Sequence, residues 1–302
     1  MIKRIFLFLL TNLAIMILIG IVIAVLESVF GFNISGYGQN YTSIFIYALV
    51  VGFTGSFISL MMSKWSAKRA YNIQIIEEKN LFDLSKKERL FYDVVYDLAA
   101  KNRIKMPEIG IYDSPELNAF ATGASKNSSL VAVSSGLLNR MNENEIKGVV
   151  GHEMAHILNG DMVTMVLLQG IINTFVVFLS RVLANIIDSY FSREESSGPS
   201  WIYFVSSIVL DIVLGLLASL IVMWFSRHRE FKADEGSSNL VGKENMIAGL
   251  EALKRMYNLS GDDDSKLATM KINTKHRGGI KALFSTHPDL DDRIENLRNY
   301  VL

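Results

Sequence analysis

The sequence predicts a mainly α-helical integral membrane protein, in which four transmembrane helices interrupt one split α+β domain lying in water. Three observations lead there. Half of the 302 residues are hydrophobic. Four segments reach the length of about 20 apolar residues that a membrane-crossing helix needs. The two polar pieces left over combine helical periodicity with short, turn-bounded apolar runs.

The first span, Ile5–Leu26, carries no charged residue over its whole length. A cleaved signal peptide would have a shorter apolar region and a small-residue cleavage site, so this segment reads as an anchor. The second runs from Ser43 to Met62, the third from Met162 to Ile187 and the fourth from Trp201 to Phe225. Basic residues orient them. Lys3 and Arg4 precede the first span, Lys64, Lys68 and Arg69 follow the second, and Arg227 and Arg229 follow the fourth. The loop Glu27–Thr42 has no Lys or Arg, and Asp188–Ser200 has only Arg193. By the positive-inside bias both termini and the segment between spans two and three are cytoplasmic. The expected organisation is an N-terminal hairpin at 1–63, a first domain half at 64–161, a second hairpin at 162–225 and a second domain half at 226–302. Arg181 and Asp211 sit inside spans three and four. A carboxylate there is costly unless paired, so the two are expected to join the hairpin.

Lys plus Arg and Asp plus Glu number 30 each, so net charge points to no nucleic-acid partner. There is no cysteine, which removes disulfides, thiolate metal sites and cysteine nucleophiles. Any zinc must be held by His, Asp or Glu.

In the polar pieces, Leu90, Val94, Val95 and Leu98 predict a helix over Lys86–Asn102. The stretch "EIGIYDSPELNAFATGASKNSSLVAVSSGLL" reads as a small sheet with turns. Asn142 followed by Glu145 predicts a capped helix start. Leu290, Ile294, Leu297 and Val301 predict a C-terminal helix with one apolar face, and Leu259–Gly279 reads as a loop.

The capped helix contains His152-Glu153-x-x-His156. Residues four apart share a helical face, so both imidazoles can reach one ion. Catalytic zinc takes three protein ligands and keeps a position for water, and a glutamate beside the first histidine can take that water's proton. A third ligand is needed. "SRHREFKADEG" offers Glu230 and Asp234, again on one face, with His228 as the main rival. His156 lies about six residues before span three and Glu230 about four after span four. At 1.5 Å per residue the two stand at similar heights, one to two turns outside the membrane. Glu230 therefore fits as third ligand, and Asp234 fits as a carboxylate orienting a histidine.

The chain resembles the HtpX family of membrane-bound zinc metalloproteases over nearly its full length. The resemblance is carried by "FLLTNLA", "GSFISLMMSKW", "NAFATGA", "GHEMAHILNGDMVTM", "MWFSRHREFKAD" and "THPDLDDRI". It implies a zincin-like (gluzincin) protease domain facing the cytoplasm of a bacterial inner membrane, acting in quality control of membrane proteins. It also implies one zinc on His152, His156 and Glu230, with Glu153 as base and Asp234 orienting a histidine. The strand containing Asn118, Ala119, Phe120 and Ala121 reads from its residues as an ordinary core strand, and the resemblance implies instead that it pairs with extended substrate. His287 and Arg293 are the candidates for stabilising an oxyanion. A prenyl-protein endopeptidase and a scaffold with structural zinc are the alternatives. The expected partners are polypeptide substrates, membrane proteins among them, and the lipid bilayer.

Overall fold

The computed structural model describes residues 20–21, 23–25, 28–29, 41–191, 199–259 and 287–301. Most of the predicted first span and of the loop Glu27–Thr42 lies outside these residues, as does the predicted loop after Leu259. Among the described residues three helices are long and apolar enough to cross a membrane. They are α1 (Tyr41–Tyr71), α5 (Asp161–Phe191) and α6 (Trp201–Val241), and they cover predicted spans two, three and four. The other elements are β1 (Gln74–Ile75), α2 (Lys86–Lys101), β2 (Glu108–Tyr112), β3 (Ala119–Ser125), β4 (Ser128–Ser134), α3 (Ser135–Arg140), α4 (Glu143–Asn159), α7 (Lys243–Leu259) and α8 (Leu290–Asn299). The described residues are thus mostly helical with one small sheet.

Two compact units result. The first comprises Met1–Ser59 and Met165–Val222. In it α1 and α5 approach backbone to backbone. A Cβ on Gly52 would stand 2.5 Å from Thr174 Oγ1 and 2.8 Å from the Gly170 carbonyl oxygen, and one on Gly170 would strike the Phe53 ring. Small residues at a crossing allow this kind of packing, which holds membrane helices where hydrophobicity gives no preference between protein and lipid. Arg181 and Asp211 do pair: Arg181 Nη1 lies 3.0 Å from Asp211 Oδ2, and Ser180 Oγ donates to Asp211 Oδ1.

The second unit comprises Leu60–Thr164 and Met223–Leu302. Its sheet has the order β1-β2-β4-β3, with β2 parallel to β4 and the other pairs antiparallel. Along β3 and β4, Ala119, Val131 and Val133 face a core shared with α2, α4, α7 and α8. Ser85 caps α2 through a capping box, and Asn142 with Glu145 caps α4 the same way, as expected. The helix α8 begins after Asp289 and buries Leu290, Ile294 and Leu297. Val301 departs from expectation. The helix ends at Asn299, and Val301 is left exposed beyond the apolar face.

Small residues let α4 press against α6 and α7. A Cβ on Gly148 would come within 2.0 Å of the Asn245 carbonyl oxygen, and one on Gly151 within 2.6 Å of Ser237 Oγ. Ser237 Oγ donates to the Gly148 carbonyl at 3.0 Å across the same contact. At the other end of α4, Gly160 closes the helix with φ +73°. That left-handed conformation is open to glycine at little cost, and it turns the chain directly into α5.

Candidate metal centre

The close contact of α4 with α6 brings His152 and His156 against Glu230. His152 Nε2 lies 3.1 Å from His156 Nε2, and Glu230 lies 3.4 Å from the first through Oε2 and 3.3 Å from the second through Oε1. Three donors around a tetrahedral ion with bonds near 2.0–2.1 Å stand about 3.3 Å apart. The spacing of the two nitrogens, and of each nitrogen from the Glu230 oxygen facing it, has that size, and the three residues form a group able to hold one ion. The imidazoles cross at 83°, so their nitrogens converge instead of stacking.

Each ring is held from behind. His152 Nδ1 lies 2.9 Å from Asp234 Oδ1, one turn beyond Glu230 on α6. His156 Nδ1 lies 2.5 Å from Asp161 Oδ2, the first residue of α5. A carboxylate on Nδ1 fixes the tautomer and turns Nε2 toward a metal. Asp161 follows directly on the left-handed turn at Gly160 that ends α4.

Glu230 is 1% exposed and Asp234 is fully buried. Burial pushes both carboxyl groups up. The hydrogen bonds from His152, His156 and His287 outweigh it for Glu230, and the Arg293 charge outweighs it for Asp234, so both lie below the usual range. Burial likewise pushes the His152 and His156 imidazoles down. The facing carboxylates reverse this, and both are raised. Such a cluster attracts positive charge at its centre, which suits a divalent ion.

Glu153 is buried beside the histidines on α4. His287 Nδ1 lies 3.0 Å from Glu230 Oε2. The Arg293 guanidinium lies against Asp234 and 3.5 Å from Glu230 Oε2. His228 stays out of the cluster. Its ring stacks on Trp224 at 6.0 Å, with 9° between the planes.

Asn118 stands immediately before β3, and its carbonyl accepts from the Ser134 N–H. Ala119 and Ala121 face the core, while Phe120 lies on the opposite face with Tyr71 and Tyr112. The outer edge of β3 has no strand partner among the described residues, and the strand packs against α4.

Asp161 was missed as a partner of the site in the sequence. Its only signal was an aspartate five residues after His156, at the mouth of an apolar span.

The model of "Peptidase family M48" matches residues 85–301. Protease HtpX of Alkalilimnicola ehrlichii is 50% identical over 300 residues, covering 98% of this chain and 97% of that protein. A Protease HtpX homolog of Bacillus subtilis is also 50% identical, over 303 residues and 98% and 99% of the two chains. Among solved structures, S. mikatae Ste24p superposes with a TM-score of 0.60 at 19% identity. The match covers 92% of this chain and 64% of the other, a likeness of fold. With the His-His-Glu triangle and three helices fit to cross a membrane, these matches have one reading: the chain belongs to the HtpX proteases of peptidase family M48 and is a membrane-bound metalloprotease.

Proposed function

We infer that the chain is a zinc-dependent endopeptidase that cuts misfolded or damaged membrane proteins at the cytoplasmic face of a bacterial inner membrane. Four transmembrane helices would anchor it, in hairpins at 1–63 and 162–225, with the protease domain split between 64–161 and 226–302. The observation that carries the chemistry is the triangle of His152, His156 and Glu230, with Glu153 on the same helix. Two imidazoles and a carboxylate, with no thiolate in the chain, are a donor set that zinc accepts in catalytic sites.

A zinc ion held there would polarise the scissile carbonyl and acidify the attacking water. Glu153, next to His152 on α4, would take the proton of the attacking water and pass it to the leaving amine. The segment Asn118–Ala121 supports an extended substrate by strand addition at the open edge of β3, which fixes the peptide without demanding particular side chains. Of the two oxyanion candidates, His287 is the better placed, because it is partly exposed beside Glu230 while the Arg293 guanidinium is engaged with Asp234. Basic residues flanking the spans support a site on the cytoplasmic side.

The test is proteolysis of a misfolded membrane protein by the purified chain in detergent, with and without chelator. Cleavage that stops on chelation and returns with added zinc is expected. Chelator-resistant cleavage would contradict the metal chemistry, and cutting confined to prenylated C-termini would contradict the substrate class.

A further inference from the structure

Arg293 has no solvent exposure, a rare place for an arginine unless it is paired. The sequence puts it there: on α8 it falls between Leu290, Ile294 and Leu297, the residues whose burial docks the helix. Its Nε donates to Asp234 Oδ2 at 2.8 Å and its Nη2 to Asp234 Oδ1 at 2.6 Å, a two-pronged grip on one carboxylate. Asp234 Oδ1 is also the oxygen that faces His152 Nδ1. The same guanidinium lies 3.4 Å from His152 Nδ1 through Nη2 and 3.5 Å from Glu230 Oε2 through Nη1.

An ion pair that merely tied α8 to α6 would need Asp234 alone. Contact with one metal donor and with the carboxylate behind another goes further. Glu230 and Asp234 are one turn apart on α6 and are almost wholly removed from water, so their charges repel with little screening. A fixed cation between them relieves that repulsion. It also leaves Asp234 no freedom to turn away from His152.

We propose that Arg293 is a positioning residue of the metal centre: it locks Asp234 against His152 Nδ1, so that His152 Nε2 is held toward the ion. The C-terminal helix thereby supplies part of a site whose donors all lie on α4 and α6. This rests on the metal reading of the triangle. Burial works against the guanidinium charge, but the Asp234 charge outweighs it and holds the group protonated.

The test is zinc affinity, measured by chelator competition on the full chain in detergent. It compares the parent with Arg293→Gln, Arg293→Lys, Asp234→Asn and the double variant Arg293→Gln/Asp234→Asn. Loss of a partner behind a metal-binding histidine costs about 10–100-fold in affinity, and Arg293→Gln is expected to lose at least about tenfold. In the Asp234→Asn background the same change is expected to cost less than about threefold, because its effect passes through Asp234. Visible absorption of the cobalt-loaded protein should shift in Arg293→Gln, which a purely architectural role would not cause. Parent-like affinity in Arg293→Gln, or an equal loss in both backgrounds, overturns the proposal. If the Gln variant does not fold, Arg293→Lys decides. It keeps the charge but loses the fork, so weaker zinc binding supports the proposal and parent-like binding overturns it. Absence of zinc from the parent would overturn the metal reading, and this proposal with it.

Discussion

Glu153 and Asp161 stand on either side of His156 in the chain and are separable by substitution. Glu153→Gln keeps the shape of a side chain outside the metal triangle but removes its basicity. Metal content should stay, and peptide cleavage should fall by about two orders of magnitude or more, the scale of a positioned base. Near-parent turnover would remove Glu153 from the chemistry. Asp161→Asn should weaken metal binding by about 10–100-fold, because the amide no longer fixes the His156 ring. Metal titration of that variant gives the answer, and parent-like affinity would count against the hydrogen bond at 2.5 Å. The difference in how these residues could be read is physical. His152 with His156, and Glu230 with Asp234, are each four apart on a helix, and helical geometry alone places such pairs on one face. Asp161 meets His156 only because Gly160 takes φ +73°. Arg293 meets Asp234 only because α8 docks by its apolar face. Neither contact is written in a local spacing.

At the scale of elements, the end of α1 is fastened to the sheet by charge and by rings. Lys64 Nζ lies 2.8 Å from Glu108 Oε1 and Lys68 pairs with Oε2, at the start of β2. Tyr71 meets Tyr112 and Phe120 with ring centroids 5.1 and 5.3 Å away. Burial pushes the Glu108 carboxyl up, but the two ammonium groups outweigh it and hold it below the usual range. A depressed folded value means that the pair stabilises above the unfolded glutamate value, about 4.3, and that this contribution is lost as pH falls through the folded value. Glu108→Gln should therefore lower the apparent Tm at pH 7, by a stability change of about 1 kcal/mol or less because the pair is partly exposed. The difference should shrink below about pH 4. An equal difference at both pH values would contradict the assignment. The small sheet, α2 and the capped start of α4 were legible because alternation, helical period and capping chemistry are local. The end of α8 was not. Val301 continues the apolar period on paper, yet the helix stops at Asn299 and Val301 is exposed among the described residues.

For the molecule as a whole, the two halves of the second unit are separated in the chain by α5 from Met165 onward, the first 22 residues of α6 and the segment between them. That arrangement requires the ends of the second hairpin to return to one side. With the positive-inside bias, both Glu27–Thr42 and Asp188–Ser200 should face away from the cytoplasm. Reporter fusions in each loop test this, and a cytoplasmic signal from either would contradict the split domain. The apolar spans made the membrane class plain from composition. The helix α6 was less obvious, because it runs unbroken from Trp201 to Val241 and carries span and carboxylates on one rod. Zinc content per chain decides whether the site is a His-His-Glu zinc centre. Parent, His228→Ala and Glu230→Gln proteins should be purified alike and their metal measured together. One zinc is expected in the parent and in His228→Ala, with strong loss in Glu230→Gln. Zinc kept by Glu230→Gln but lost from His228→Ala would contradict a His-His-Glu centre.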